Sequence, residues 1–222
     1  KFFSQGGDGK RCSHVTGVQT CTIPISRGNH WKESWSSPAL ADFDNDGMLD
    51  VFFSALNYYG NSSSLFRNTG SPGAPQFSEV SLPASVEGYL VSWADWDNDG
   101  DMDLATGSPS RFFRNDNNNG NSWLKVALRA PGAQGVNGAA IGAIARVRAG
   151  DLIVTRQVEA GTGQGNQSEL ILHFGLGNTR GPVDGEISWP DGTEEGGRIL
   201  SKISQIDLTT SRLVFSLLPP ML

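Results

Sequence analysis

Helical patterning is what this sequence lacks most: none of its 222 residues falls in a window with a sustained 3.6-residue apolar period. Basic charge is scarce as well, with 17 Lys plus Arg against 23 Asp plus Glu and a net charge of −6. Nothing is basic enough to suggest a nucleic-acid-binding surface. No apolar run approaches the length of a transmembrane helix, so no membrane span is expected. The chain begins with neither an initiator Met nor a signal peptide, and its natural N-terminus is expected to be missing. Histidine is limited to His14, His30 and His173. There is no G-x-S-x-G elbow, no HExxH helix and no phosphate-binding glycine loop. The two cysteines, Cys12 and Cys21, could bridge in a secreted protein. However, Val15–Cys21 with Pro24-Ile25 matches the translation of a common sequencing adapter except at Thr22 and Ile23, so residues 14–25 are set aside from fold reasoning as candidate read-through.

What is abundant is glycine, 28 residues, with 11 proline, a balance that predicts many turns and short strands. Two stretches stand out. Asp42-Phe43-Asp44-Asn45-Asp46-Gly47-Met48-Leu49-Asp50 returns 53 residues on as Asp95-Trp96-Asp97-Asn98-Asp99-Gly100-Asp101-Met102-Asp103. Each sets carboxylates at positions 1, 3, 5 and 9 of a nine-residue loop, with Gly at position 6. Acids this close repel by roughly 1 kcal/mol per pair at about 4 Å even in water. A hard cation removes that cost, and calcium suits the site because it accepts six to eight oxygen ligands in a flexible shell. An EF-hand would need a bidentate Glu at position 12 and flanking helices; position 12 holds Phe53 and Thr106 instead, after apolar runs that read as strands.

The surroundings of the two loops repeat too. The first unit runs Ser37–Ala41, loop, strand, Ser64-Leu65-Phe66-Arg67-Asn68, then Gln76–Val80. The second runs Leu90–Ala94, loop, strand, Arg111-Phe112-Phe113-Arg114-Asn115. Units near 50 residues with about four strands have the size of propeller blades. The pattern A-D-x-D-N-D-G-x-x-D, followed by F-R-N and, in the first copy, x-F-x-E-V, resembles the FG-GAP/VCBS repeat, which forms β-propeller blades including those of integrin α chains. The resemblance covers about 31–118. It implies one calcium per loop, with ligands Asp42, Asp44, Asp46, the Met48 carbonyl and Asp50 in the first, and Asp95, Asp97, Asp99, the Asp101 carbonyl and Asp103 in the second.

Asn115–Asn121 reads as a polar linker, and Trp123–Leu128 opens a new alternating strand. The runs Asn137–Val147, Leu170–Gly177 and Glu186–Thr193 together resemble the ASPIC/UnbV domain, which follows VCBS repeats in bacterial secreted proteins and in the cartilage acidic protein family. The expected fold is therefore all-β: a partial β-propeller of two calcium-loop blades, then a small β-rich domain. The expected division is 1–30 for the end of a preceding repeat plus the adapter-like stretch, 31–118 for the repeats, 119–197 for the ASPIC/UnbV-like domain, and 198–222 for a tail. That tail is either a final strand pair containing Arg212–Leu217 or a truncated or frame-shifted end. Two blades do not close a ring, so the remaining blades are expected upstream.

No catalytic and no organic-cofactor-binding residue is assigned. His173 sits among apolar neighbours, as a structural histidine does. Gly161-Thr162-Gly163-Gln164-Gly165 reads as a hairpin turn. The paired acids are committed as calcium ligands rather than to glycoside hydrolysis, and the six Trp are read as packing residues. The leading expectation is a calcium-binding, secreted or cell-surface interaction module with a protein or glycan ligand. The alternative is a propeller-scaffold lectin or carbohydrate-active enzyme whose site lies on other blades.

Overall fold

A computed structural model describes residues 37–56, 62–83, 86–129, 137–163 and 165–190, together with the backbone of 198–206 and 212–216. The stretch 1–30, with the adapter-like segment, Cys12 and Cys21, lies outside the described residues, as do 191–197, 207–211 and 217–222. The chain is all-β, and no helix among the described residues is long and apolar enough to cross a membrane.

The first sheet is antiparallel, in the order β1 (Pro38–Ala41), β2 (Asp50–Phe53), β3 (Ser64–Asn68), β4 (Phe77–Val80). The second holds three strands, β5 (Leu90–Ala94), β6 (Asp103–Gly107) and β7 (Arg111–Phe113). Each Asp loop connects the first two strands of its sheet, as the strand reading predicted. The register repeats between the sheets. Val51 faces Phe66 and Phe52 faces Leu65 in the first; Leu104 faces Phe113 and Ala105 faces Phe112 in the second. Alternation in β5 buries Val91 and Trp93 and leaves Ser92 partly open. Val91, Trp93 and Leu104 therefore meet Ala39, Ala41, Phe52 and Leu65 in one core between the two sheets. The Phe52 and Trp93 rings meet edge to face with centroids 6.2 Å apart.

The C-terminal part has its own core, built around Leu124, Val126, Val147, Phe174, Ile187 and Trp189. One sheet there runs β10 (Leu152–Gln157), β9 (Ile144–Ala149), β12 (Val183–Pro190), β13 (Arg198–Ile206). The other runs β11 (Leu172–Gly175), β8 (Trp123–Arg129), β14 (Arg212–Ser216), with β14 parallel to β8. The last two strands thus do not pair with each other. Each finishes a different sheet.

One strip of the C-terminal part runs against the free edge of β5. The amides of Val91, Trp93 and Asp95 donate to Asn166 Oδ1 (3.1 Å), Ser168 Oγ (3.2 Å) and Glu169 Oε1 (3.2 Å), and Glu169 N–H donates back to the Trp93 carbonyl at 3.1 Å. Side chains thereby satisfy an edge that would otherwise present unpaired amides. Asn166 reaches Ser37 Oγ with its other end, tying both sheets to one buried residue. The Gly-rich segment before it is a tight turn, with Gly163 and Asn166 bridged and Gly165 at φ +70°.

Candidate functional site

The two Asp loops fold by the same local chemistry. Position 4 is left-handed in both, Asn45 at φ +60° and Asn98 at φ +61°, a conformation Asn tolerates. Position 6 follows at φ +95° in Gly47 and +94° in Gly100. The position-1 carboxylate accepts the position-6 amide, Gly47 to Asp42 Oδ2 at 3.0 Å and Gly100 to Asp95 Oδ2 at 3.2 Å. The position-5 carboxylate accepts the position-7 amide, Met48 to Asp46 Oδ1 at 2.8 Å and Asp101 to Asp99 Oδ1 at 2.9 Å. The position-9 acid is a two-ended clamp. Asp50 accepts Phe43 N–H (3.1 Å) and Asn68 N–H (2.7 Å), while Asp103 accepts Trp96 N–H (3.3 Å) and Asn115 N–H (2.8 Å). The F-R-N motif is explained by this, because its Asn amide is what the clamp holds.

Among the described residues, carboxylate oxygens of Asp42, Asp44 and Asp50 lie within 4.8 Å of one another, and so do those of Asp95, Asp97 and Asp99. Asp46 stands outside the first cluster and Asp103 outside the second. Asp46 is turned toward Arg67, with Oδ2 3.3 Å from Nη2. The Asp101 carboxylate accepts Asn45 Nδ2 at 3.0 Å and Asn117 N–H at 2.7 Å, which leaves its position-7 backbone as the part expected to act.

The first cluster is buried whole, whereas Asp97 and Asp99 are exposed. Burial pushes Asp42 up to about 7, against the pull of Arg156 and with added repulsion from Asp46 and Asp44. Burial likewise takes Asp50 to about 8 and raises Asp44, with Asp46 adding to the latter. In the second loop burial raises Asp101 to about 6 and also raises Asp103. A carboxylate so raised resists ionising in the folded chain, and a bound cation reverses that preference. Asp44 Oδ1 and Asp95 Oδ1 are buried without a hydrogen-bond partner, one in each loop. Buried carboxylate oxygens are normally paired or on a metal, and these donor sets suit a hard cation.

Several residues of the site were not legible in the sequence. The F-R-N arginines reach the position-3 acids, Arg67 to Asp44 and Arg114 to Asp97 (3.6 Å). Two cations come from the C-terminal part: Lys125 Nζ lies 3.0 Å from Asp95 Oδ2, and Arg156 Nη2 lies 3.7 Å from Asp42 Oδ2. The polar stretch read as a linker is a brace on the first loop. Asn115 Nδ2 donates to the Phe43 carbonyl at 2.7 Å, and Asn119 and Asn121 both donate to the Asp44 carbonyl. Its signal was the density of Asn, five of the seven residues from Asn115 to Asn121, in a run that reads at first as turn residues. His173 is buried, its ring stacked on Trp123 and its Nε2 2.9 Å from the Gly100 carbonyl. Burial pushes it down to about 4, so it is neutral and donates there from Nε2. That contact belongs to the seam between the second loop and the C-terminal part.

The FG-GAP-like repeat family matches residues 42–106, and the ASPIC and UnbV family matches residues 133–206. The chain carries an FG-GAP-like repeat region followed by an ASPIC/UnbV domain. Over 166 residues it is 31% identical to cartilage acidic protein 1 of Mus musculus, which covers 68% of this chain and 25% of the relative. The Homo sapiens protein gives 31% with 68% and 24% covered, and the Xenopus tropicalis protein 30% over 164 residues with 68% and 25% covered. The chain spans about a quarter of the length of the curated relatives it matches. The ASPIC/UnbV match includes β9 to β13, and the FG-GAP-like match includes both Asp loops, β2 to β5 and β6 as far as Thr106. The ASPIC/UnbV domain therefore rests directly on the loops of the repeats, with Gly175 so close to Asp42 and Asn45 that a Cβ there would overlap both.

Proposed function

We propose that this chain is a calcium-stabilised, extracellular, non-enzymatic interaction module whose two Asp loops hold structural calcium. The observation that carries the reading is the pair of buried, unpartnered carboxylate oxygens, Asp44 Oδ1 and Asp95 Oδ1, each inside a cluster of three acids. The ligands would be Asp42, Asp44, Asp46, the Met48 carbonyl and Asp50 in the first loop. In the second they would be Asp95, Asp97, Asp99, the Asp101 carbonyl and Asp103. Calcium bound there supplies positive charge that lets buried carboxylates stay ionised. The protein's own part is to fix the loop: the position-9 acids clamp it to the F-R-N strand, and Gly47 and Gly100 let the backbone turn. Extracellular modules work at calcium concentrations of about 10⁻⁴–10⁻³ M, which fits export. Calorimetric titration of Asp44→Asn and Asp97→Asn with calcium should each lose or weaken one site relative to the parent. Two undiminished sites in both variants would refute the ligand assignment.

The same reading divides the chain into repeats over 31–118, an ASPIC/UnbV-like domain over 119–197 and a tail beyond, whose strands β13 and β14 complete that domain's two sheets, with further blades and a protein or glycan ligand as partners. Two separate hydrophobic cores support the division. The second blade supports the further blades. By register Phe112 corresponds to Leu65, yet Leu65 is 6% exposed and Phe112 is 71% exposed. The first sheet turns its Phe52–Leu65 face to the shared core, while the second turns its Leu104–Phe113 face there and its Ala105–Phe112 face away. β7 is also the last strand of its sheet among the described residues. Phe112 is left against Trp96, ring centroids 5.3 Å apart, and Trp96 lines a cleft of about 400 Å³. An uncovered edge with exposed aromatics pairs with other strands. The chain by itself is expected to self-associate through β7, and Phe112→Lys should shift it toward monomer in light scattering. Unchanged association would show that this edge is not the contact.

A further inference from the structure

We propose that Lys125 is a resident cation of the second Asp loop, so that the two loops are unequal: the first is the tighter calcium site, and the second is held partly by the ASPIC/UnbV domain and binds calcium more weakly. This rests on the reading of both loops as calcium sites. Lys125 leaves β8 and crosses the seam between the two parts of the chain, and it is 1% exposed. Its ammonium lies 3.0 Å from Asp95 Oδ2, 3.1 Å from the Asp95 carbonyl and 3.4 Å from Asn98 Oδ1, which gives each of its three protons an acceptor. Glu169 Oε2 stands 3.7 Å away, and Glu169 Oε1 takes the Asp95 amide at 3.2 Å. One positive charge therefore sits on position 1 of the loop through both its carboxylate and its backbone.

Among the described residues, no ammonium or guanidinium makes the same contacts to position 1 of the first loop, although Arg67 pairs with Asp44 at position 3. Arg156 occupies the corresponding direction, but its Nη2 comes only to 3.7 Å from Asp42 Oδ2 and has no hydrogen-bond partner. Its other donors go to the His173 and Thr155 carbonyls. Solvent separates the loops further, because Asp42, Asp44 and Asp50 are all buried while Asp97 and Asp99 face water. Both loops carry the F-R-N arginine on their position-3 acid, Arg67 on Asp44 and Arg114 on Asp97, so they differ at position 1. There buried Asp42 has a guanidinium only at 3.7 Å, and its cluster's low dielectric strengthens the draw on a divalent cation. The second combines a built-in ammonium with solvent screening, which weakens that draw. Lys125 touches Oδ2 of Asp95 and leaves Oδ1 without a partner, so it tunes the second site without filling it. Lys125 is a positioning and affinity-setting residue, not a ligand.

The test is calorimetric titration with calcium chloride of the parent chain, Lys125→Met, and Lys125→Met with Glu169→Gln. The double variant also removes the carboxylate that the lost ammonium would leave uncompensated, and a melting curve with calcium present reports whether each variant is folded. The parent should show a tight and a weak phase. Lys125→Met should tighten the weak phase by about tenfold or more, as expected for removing one charge beside a ligand carboxylate. Adding Asp97→Asn should abolish the tightened phase and so assign it to the second loop. Two equal phases in the parent, or a weak phase unchanged or weakened in both folded Lys125 variants, would overturn the proposal. The absence of any binding heat would instead refute the calcium reading itself.

Discussion

Chelating calcium from the protein is expected to lower its melting temperature by about 5–10 °C. Occupying one site at a hundredfold excess over its dissociation constant stabilises the fold by about 2.7 kcal/mol, provided the unfolded chain does not bind. For a chain of this size each kcal/mol moves the melting temperature by about 2–4 °C. Most of the shift should come from the first loop. Asp42, Asp44 and Asp50 are buried together, and burial holds Asp42 near 7 and Asp50 near 8, so without a cation their ionised forms weigh against the fold. The effect should reach beyond the loop. Asp50 clamps the F-R-N strand, the Asp44 carbonyl takes the Asn119 and Asn121 side chains, and the Gly177 amide donates to the Asn45 carbonyl at 2.9 Å. Magnesium demands near-octahedral geometry and sheds water reluctantly, so replacing calcium with magnesium should not restore the melting temperature. Coincident melting curves with calcium and with chelator would end the structural-calcium assignment.

The loops were legible in the sequence because each is complete within one hairpin. The nine residues carry their own acids, their own turn-forming Asn and Gly, and strands on either side, so spacing alone identifies them. The position-9 clamp was half legible: the acid was evident, but its partner is an amide 12 to 18 residues on, identical in kind to any other amide. The cations were not legible at all. Lys125 lies 30 residues from Asp95, and Arg156 lies farther still from Asp42; each comes from a strand whose alternation suggests only a buried or half-buried position. Lys125 is unremarkable in Trp123-Leu124-Lys125-Val126-Ala127-Leu128, because alternation puts Leu124, Val126 and Leu128 in the core and Lys125 on the opposite phase, and its burial comes from the second Asp loop lying over that face. The seam between the two parts is polar and assembled from contacts of long sequence separation, so no periodic signature announces it.

That seam is also where the largest mutational effect is expected. Gly47 and Gly100 occupy the same loop position with nearly the same φ, +95° and +94°. Alanine at either carries the backbone strain of a left-handed residue, about 1–2 kcal/mol. Their neighbours differ. A Cβ on Gly47 would approach the Leu152 methyls at 2.9 and 3.1 Å, the flexible end of a side chain that can shift. A Cβ on Gly100 would fall within 1.8 to 2.4 Å of three Trp123 ring atoms. Trp123 has little room to move, because its ring stacks on buried His173, which is itself held to the Gly100 carbonyl. Gly47→Ala should therefore cost about 1–2 kcal/mol, and Gly100→Ala about 3–5 kcal/mol through overpacking and a displaced interface. Denaturant unfolding measures both. The decisive comparison adds Trp123→Ala: with the indole gone, Gly100→Ala should cost no more than Gly47→Ala does, a non-additivity of a few kcal/mol. An equal cost of Gly100→Ala with and without Trp123 would mean that backbone strain alone fixes the glycine, and that the C-terminal part does not bear on the second loop through Trp123.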